Sequence, residues 1–323
     1  MGSSRSTLLR GALGIAISVA AIWILFHSVD VPATLAVLSR ANPAWIGLMI
    51  GTVFLDVAAR GARWRALLAP IAPLPYRRVL GYTFIGYLAN NVLPARLGEL
   101  VRSHALGEGE NLSRTTVLGT VVVERIVDTV IVVALAALAV VVLSVRGALS
   151  SAVLLGGAFV ALLLLALAVA MALHRLPGAD RVAAYAARWP QVVELARRLR
   201  DGLAVAARPR TMGAALAFSA LAWAASIVSF LAAGQAVGVE LSLSQGALLA
   251  SGVALATIVP SGPGYLGTFE LTAVGIASTF GVARESGFAL ALLVHALILA
   301  VTSVGGVVAL VVRRRRAAGE PAT

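Results

Sequence analysis

The chain contains no cysteine and no lysine, and only 12% of its residues carry charge. Without cysteine there is no disulfide, no thiolate metal ligand and no thiol nucleophile. The missing lysine follows a bias in which all 26 basic residues are arginine, and it carries no chemical message. The four histidines are scattered, with no His/Glu metal spacing, no Asp-rich metal motif and no Ser/His pairing. No metal, cofactor or catalytic constellation is therefore expected, and the chain is not expected to be an enzyme.

What is abundant is apolar residue, 60% of the chain at a mean hydropathy of +0.95. Val130 to Leu143 and Ala152 to Leu173 carry no charge at all. A membrane span takes roughly 20 apolar residues, so the chain is read as a single all-α polytopic membrane domain with little left for a soluble one. A net charge of +12 can mark a nucleic-acid binder, but here the arginines lie between apolar runs and follow membrane topology, so no nucleic acid is expected.

Hydropathy and turn signals predict six spanning helices, at Leu8 to Phe26, around a core at Trp45 to Ala59, and at Thr115 to Val145, Ser151 to Leu173, Met212 to Val237 and Ser286 to Val312. The first has the charged start of a signal peptide but no convincing small-residue cleavage site, so it is expected to be retained. Two apolar stretches remain, Val79 to Leu106 and Ser244 to Phe280, and each is split near its middle. The first split is Pro94-Ala-Arg-Leu-Gly98 with Glu99 behind it; the second is Pro263-Gly264-Tyr-Leu-Gly267 with Glu270 behind it. Broken backbone survives in a bilayer only where protein or a water-filled cavity surrounds it. Paired interruptions in corresponding positions of two halves point to a transport site at a repeat interface.

Arginine placement sets the topology. Arg5, Arg10, Arg60 to Arg78, Arg175 to Arg210 and Arg313 to Arg316 mark cytoplasmic segments, while the outer loops hold only Arg40, Arg146 and Arg284. Every assignment is met if both split segments are re-entrant hairpins entering from opposite sides, making repeat-like halves at about 45–145 and 212–312 an inverted repeat. Both termini are then cytoplasmic, in a bacterial inner membrane. Within 178–208, Val192, Ala196, Leu199 and Leu203 at helical spacing among arginines suggest an amphipathic helix lying on anionic lipid headgroups.

Charges inside spans mark function or a structural pair. Asp56 and Arg60 share a helix face and are expected to pair. Glu124, Arg125 and Asp128 fall within roughly a 100° arc, as a lock between helices or as a substrate contact. Asn90, Asn91, Arg96 and Glu99 at the first interruption, and Tyr265 and Glu270 at the second, are the other candidate substrate-binding residues; His295 is expected to bond between helices. A tally of Arg96 and Arg125 against Asp56, Glu99, Glu124, Asp128 and Glu270 is net negative unless Arg60 or Arg102 reaches in. A net negative site would suit protonated carboxylates or a cationic headgroup.

Arg63-Trp64, Gly86-Tyr87 to Asn90, Leu93-Pro94-Ala-Arg-Leu-Gly98-Glu99, Arg102, Val123-Glu124-Arg125, Asp128 and Pro260 to Glu270 together resemble the lysylphosphatidylglycerol synthase transmembrane-region family. The resemblance runs from about Leu8 to Val312. It implies a flippase that moves a polar-headed lipid, such as an aminoacylated phospholipid or a polyprenyl-linked or hopanoid-type lipid, between leaflets. It also implies that the aminoacyl-transferase domain of the longer relatives is missing, so that lipid aminoacylation is not expected. The alternatives from other classes are an intramembrane lipid phosphatase or polyprenyl-dependent transferase, and a cell-envelope scaffold.

Overall fold

A computed structural model describes residues 2–93, 97–147, 150–151, 153–158, 161–162, 202–257 and 261–317, and among the described residues there is no strand. Ten helices can be bounded: α1 (Gly2–Ser28), α2 (Val31–Ser39), α3 (Pro43–Leu68), α4 (Tyr76–Val92), α5 (Gly98–Gly109), α6 (Arg114–Val142), α7 (Pro209–Ala236), α8 (Leu243–Ala256), α9 (Thr268–Ser278) and α10 (Arg284–Ala317). Four of them, α3, α6, α7 and α10, are long and apolar enough to cross a membrane.

The first predicted span, Leu8 to Phe26, lies within α1, which then turns through 84° into α2, the bent pair counting as a fifth candidate span. The turn is built locally. Asp30 accepts a hydrogen bond from the Ala33 amide at 3.0 Å, and proline stands in the first turn of α2, so a new helix starts in a new direction. The second predicted span does not stop at Ala59 but continues to Leu68, carrying Arg60 and Arg63 inside the helix. Of the predicted fourth span, residues 163–173 lie outside the described residues, as does all of the amphipathic segment 178–208 except its last seven residues, which include a short 3-10 turn at Ala204–Ala207.

Both split segments form two helices that turn back on each other. At the first, Gly86 of α4 packs on Arg102 and Gly98 of α5, while Gly109 at the far end of α5 meets Tyr82. A Cβ at Gly98 would fall 2.6 Å from Asn90 Cγ, so glycine is required for the close approach. At the second, Gly252 of α8 faces Ile276 of α9.

Small residues set the packing elsewhere too, as expected where lipid removes the hydrophobic drive between helices. Gly305 and Gly306 of α10 receive Phe84 and Leu88 of α4. The largest apolar cluster joins Met49 of α3, Leu248 and Leu249 of α8, Phe269 and Ala273 of α9, and Leu290 and Val294 of α10. The most extensive pairing is α3 against α7; α4 lies on α10, and α8 on α6. The α3 and α7 helices run antiparallel, because Asn42 bonds to the Ala236 carbonyl at one end while Arg63 bonds to Ser219 towards the other.

One end of the bundle gathers arginine. There Arg65 reaches the Leu74 carbonyl, Arg78 pairs with Glu110 and Arg313 pairs with Glu108, so the ends of α3, α4, α5 and α10 meet. Because the chain has no cysteine, single-cysteine labelling reads sidedness directly. Arg78→Cys and Glu108→Cys are expected to react with an impermeant maleimide only after permeabilisation, and Glu240→Cys and Arg284→Cys in intact cells. Outside labelling at position 108 would refute the placement of α5.

Candidate functional site

The charges of α3, α5 and α6 form a single buried lattice. Arg63 has no solvent exposure. Its guanidinium grips Asp128 with both terminal nitrogens, with Nη2 to Oδ2 at 2.9 Å, and Nη2 stands 3.2 Å from Glu124. It also donates to Ser219 of α7 at 2.9 Å. Arg102 of α5 donates to Glu124 at 2.8 Å while its guanidinium lies 4.5 Å over the Trp64 ring. Arg60 holds both oxygens of Asp56 at 2.9 Å and reaches Asp128 at 3.3 Å. Trp223 of α7 donates to Asp128, and Ser226 to Asp56.

Arg125 is different. It bonds Glu124 at 2.7 Å and Asp128 at 3.3 Å and stands 3.9 Å from Glu99, yet its side chain keeps 42% exposure. That exposure opens into a cavity of about 280 Å³. The cavity takes Asn90, Asn91 and Glu99 from the first interruption and Tyr265 from the second. Asp56, Arg60, Arg125 and Asp128 supply charge on one wall, and His295, Phe269 and Trp223 supply rings.

The interruptions are held by side-chain caps. Asn90 accepts from the Gly98 amide at 2.8 Å, capping α5 across the break, and Asn91 donates to Thr302 and Ser303 of α10. At the second break Glu270 Oε2 accepts from the Gly267 amide at 2.8 Å, and its other oxygen meets Nδ1 of His295, which stacks on Phe269. Gly264 and Gly267 both have positive φ, 62° and 84°, in and just after the turn Pro263–Tyr265. The first of these glycines packs near the Asn91 carbonyl, so the two interruptions touch. Behind them α1 closes the second break, where Ser18 accepts from the Gly262 amide at 2.8 Å.

Six of the nine expected binding residues thus line one cavity: Asn90, Asn91, Glu99, Arg125, Asp128 and Tyr265. Glu124 lies behind the wall, saturated by arginines, and Glu270 stands one layer back through His295. Pro94 and Arg96 lie outside the described residues. Arg60 and Arg102 do reach in, the condition on which the charge tally turned: Arg60, Arg63, Arg102 and Arg125 balance Asp56, Glu99, Glu124 and Asp128, so the lattice of α3, α5 and α6 is neutral, while Glu270 stands apart against His295 and Arg96 lies outside the described residues. Arg63 and the α7 contacts were missed. Ser219, Trp223 and Ser226 fall at helical spacing on one face of α7, which is the signal that could have found them.

A family model described as the lysylphosphatidylglycerol synthase TM region matches residues 11–306. A protein named glycosyltransferase AglD, from Haloferax volcanii, is 27% identical over 345 residues, covering 94% of this chain and 54% of the relative. The chain therefore spans about half the length of the curated relative it matches. The expectation that the chain is not an enzyme is overturned by this relative, whose name assigns it a transferase activity.

The lattice and the cavity wall separate by mutation. Arg63→Leu removes the one fully buried cation shared by Glu124 and Asp128 and unbalances the lattice, although each carboxylate keeps other arginine partners; it should cost up to about 3–5 kcal/mol, seen as a large fall in thermal midpoint in detergent. Arg125→Ala, at a half-open position, should lower it much less. Equal losses would mean that Arg125 is as structural as Arg63.

Proposed function

The chain belongs to the lysylphosphatidylglycerol synthase transmembrane-region family, and from that membership and the central cavity we propose that it carries a polar-headed lipid between membrane leaflets. The observation that carries this reading is a polar cavity, among spanning helices, lined by both interrupted segments and by charged side chains of α3 and α6. A lipid crossing the hydrocarbon needs a polar path for its headgroup. Arg125 can hold a phosphate by paired hydrogen bonds, and Asn91, Tyr265 and His295 offer donors and acceptors to the rest of a headgroup.

Packing supports an inverted repeat around this path. Exchanging α3, α4, α5 and α6 with α7, α8, α9 and α10 carries each principal packed pair among them onto another: α4 with α10 becomes α8 with α6, and α5 with α6 becomes α9 with α10. The α3 and α7 pair maps onto itself, and because these helices are antiparallel the relating axis lies across them, in the plane of a membrane they span. The two turned-back segments then read as re-entrant hairpins from opposite faces, with the arginine-rich end and both termini at the cytoplasmic side of a bacterial inner membrane.

A second reading, participation in glycosyl transfer to a lipid-linked acceptor, is favoured by the printed name of the AglD relative. Purified protein in liposomes distinguishes the two. Transport changes the leaflet of a labelled aminoacylated phospholipid or polyprenyl phosphate without changing its mass; transfer adds the mass of a sugar when a sugar donor is supplied. Under the transport reading, Glu270→Gln keeps the cap on Gly267 but loses the charge facing His295. It should slow exchange about a hundredfold, the effect of about 3 kcal/mol in a low-dielectric site. Full exchange by Glu270→Gln and by Arg125→Ala together would discard the two-walled path.

A further inference from the structure

A second and larger hollow lies away from the central cavity. It encloses about 1010 Å³ between α3, α4 and α10 and shares no lining residue with the central cavity. The α4 helix contributes to both, through Gly81 to Ile85 here and through Tyr87, Asn90 and Asn91 there. The floor is shaped by small residues, since Gly81 faces Ala309 at ordinary contact distance and Gly305 lets the Phe84 ring lie down on α10 beside Ala300. Phe54 and Ile50 of α3 form the opposite bank.

The hollow is apolar along its length and basic at one end. Its α10 wall is uncharged from Leu297 to Val312, a run of roughly 22 Å at 1.5 Å per residue, longer than the ~15 Å of hydrocarbon in one leaflet. It then meets Arg313 and Arg316, with Arg77 and Arg78 across the mouth. Two of these arginines have partners, Arg78 with Glu110 and Arg313 with Glu108. Arg77 and Arg316 are exposed and make no ion pair among the described residues. Four arginines against Glu110 and Glu108 leave the mouth net positive by two.

We propose that this groove is a binding site for a phospholipid with an anionic headgroup, drawn from the leaflet at the arginine-rich end and separate from the transport path. The phosphate sits between Arg77 and Arg316, and the tails lie along the α10 wall against Phe54 and Ile50. Charge selects the occupant. A zwitterionic lipid offers the same tails but brings its own cation to a mouth that already carries surplus positive charge. A soluble phosphate offers the charge but leaves the apolar floor uncovered.

Bromolipid quenching tests the site. A bimane fluorophore is placed on Val308→Cys, which lines the groove with 56% exposure, in an otherwise native chain without competing thiols. A reference reporter sits on Leu216→Cys, exposed near the start of α7 at the same end of the bundle and outside the groove. The protein is reconstituted in phosphatidylcholine with a minor fraction of brominated phosphatidylglycerol or brominated phosphatidylcholine. At position 308 the apparent enrichment of phosphatidylglycerol over phosphatidylcholine should be about thirtyfold, the contribution of two arginines near a phosphate at about 1 kcal/mol each; at position 216 the two lipids should quench nearly alike. Arg77→Gln with Arg316→Gln should remove the preference at 308, with unchanged quenching at 216 as the check on folding. Excess glycerol phosphate should displace nothing. Equal quenching by both lipids at 308, persistence of the preference in the double variant, or displacement by glycerol phosphate would overturn the proposal. Arg125→Ala should leave the preference at 308 intact, so loss of transport and loss of this site are told apart.

Discussion

Arg63 enters the interior with its guanidinium wholly out of solvent, and three helices are organised around what it needs. A buried guanidinium is tolerable only when its charge is matched and most of its donors are occupied; both terminal nitrogens of Arg63 are occupied, and Nε is left without a partner. Asp128 supplies the fork-shaped partner from α6, Glu124 adds a second carboxylate one turn earlier, and Ser219 of α7 takes a further bond. Each partner brings further charge. Glu124 requires Arg102, which ties in the hairpin of α4 and α5, while Asp128 draws Arg60, and Arg60 holds Asp56. The outcome is a neutral lattice with one edge, Arg125, open to the cavity. Such a lattice contributes less to net stability than to uniqueness of arrangement, because removing any one member leaves the remaining charges unbalanced.

The two interruptions meet the same backbone requirement by different chemistry. A helix that starts inside a membrane protein presents unpaired amides, and each must be given an acceptor. For α5 the acceptor comes from before the break, Asn90; for α9 it comes from within the new helix, Glu270. The difference matters because the carboxylate has a second oxygen to spend on His295, whose ring lines the cavity. Symmetry of packing is therefore compatible with asymmetry of chemistry. The α1 helix adds to that asymmetry by closing the back of the second break through Ser18.

The sequence made the interruptions legible because proline and glycine act locally, and their effect on a helix does not depend on distant partners. Asn90, Asn91, Glu99, Arg125, Asp128 and Tyr265 followed from standing beside those breaks or inside an apolar run. Arg63 was not legible. In one dimension an arginine at the end of an apolar run marks the cytoplasmic boundary, and only the approach of α6 turns the same residue into a buried hub. Hydropathy extended the second span no further than Ala59 for that reason, although the helix continues to Leu68. The charge tally turned on the same point, since its sign depended on which arginines reach inward. The bend after Ser28 is also a matter of local capping, but Asp30 and Pro32 read equally well as an ordinary loop between spans. The expected absence of enzymatic activity came from scanning for motifs, and a relative named as a glycosyltransferase shows how little a missing motif decides.

Neutrality of the lattice bears on how a visiting headgroup could be held under the transport reading. A site with a spare positive charge would bind a phosphate tightly and release it slowly, whereas passage across a membrane requires binding strong enough to admit the ligand and weak enough to let it leave. Arg125 already shares its guanidinium among Glu124, Asp128 and the more distant Glu99. A phosphate reaching it must compete with those carboxylates, and the partner given up most readily is Glu99, 3.9 Å away and standing at the mouth of the first hairpin. Once released, Glu99 faces the same cavity and repels the phosphate that displaced it. That repulsion limits residence at Arg125 and couples headgroup entry to the start of α5, the element that would have to yield if the hairpin moves.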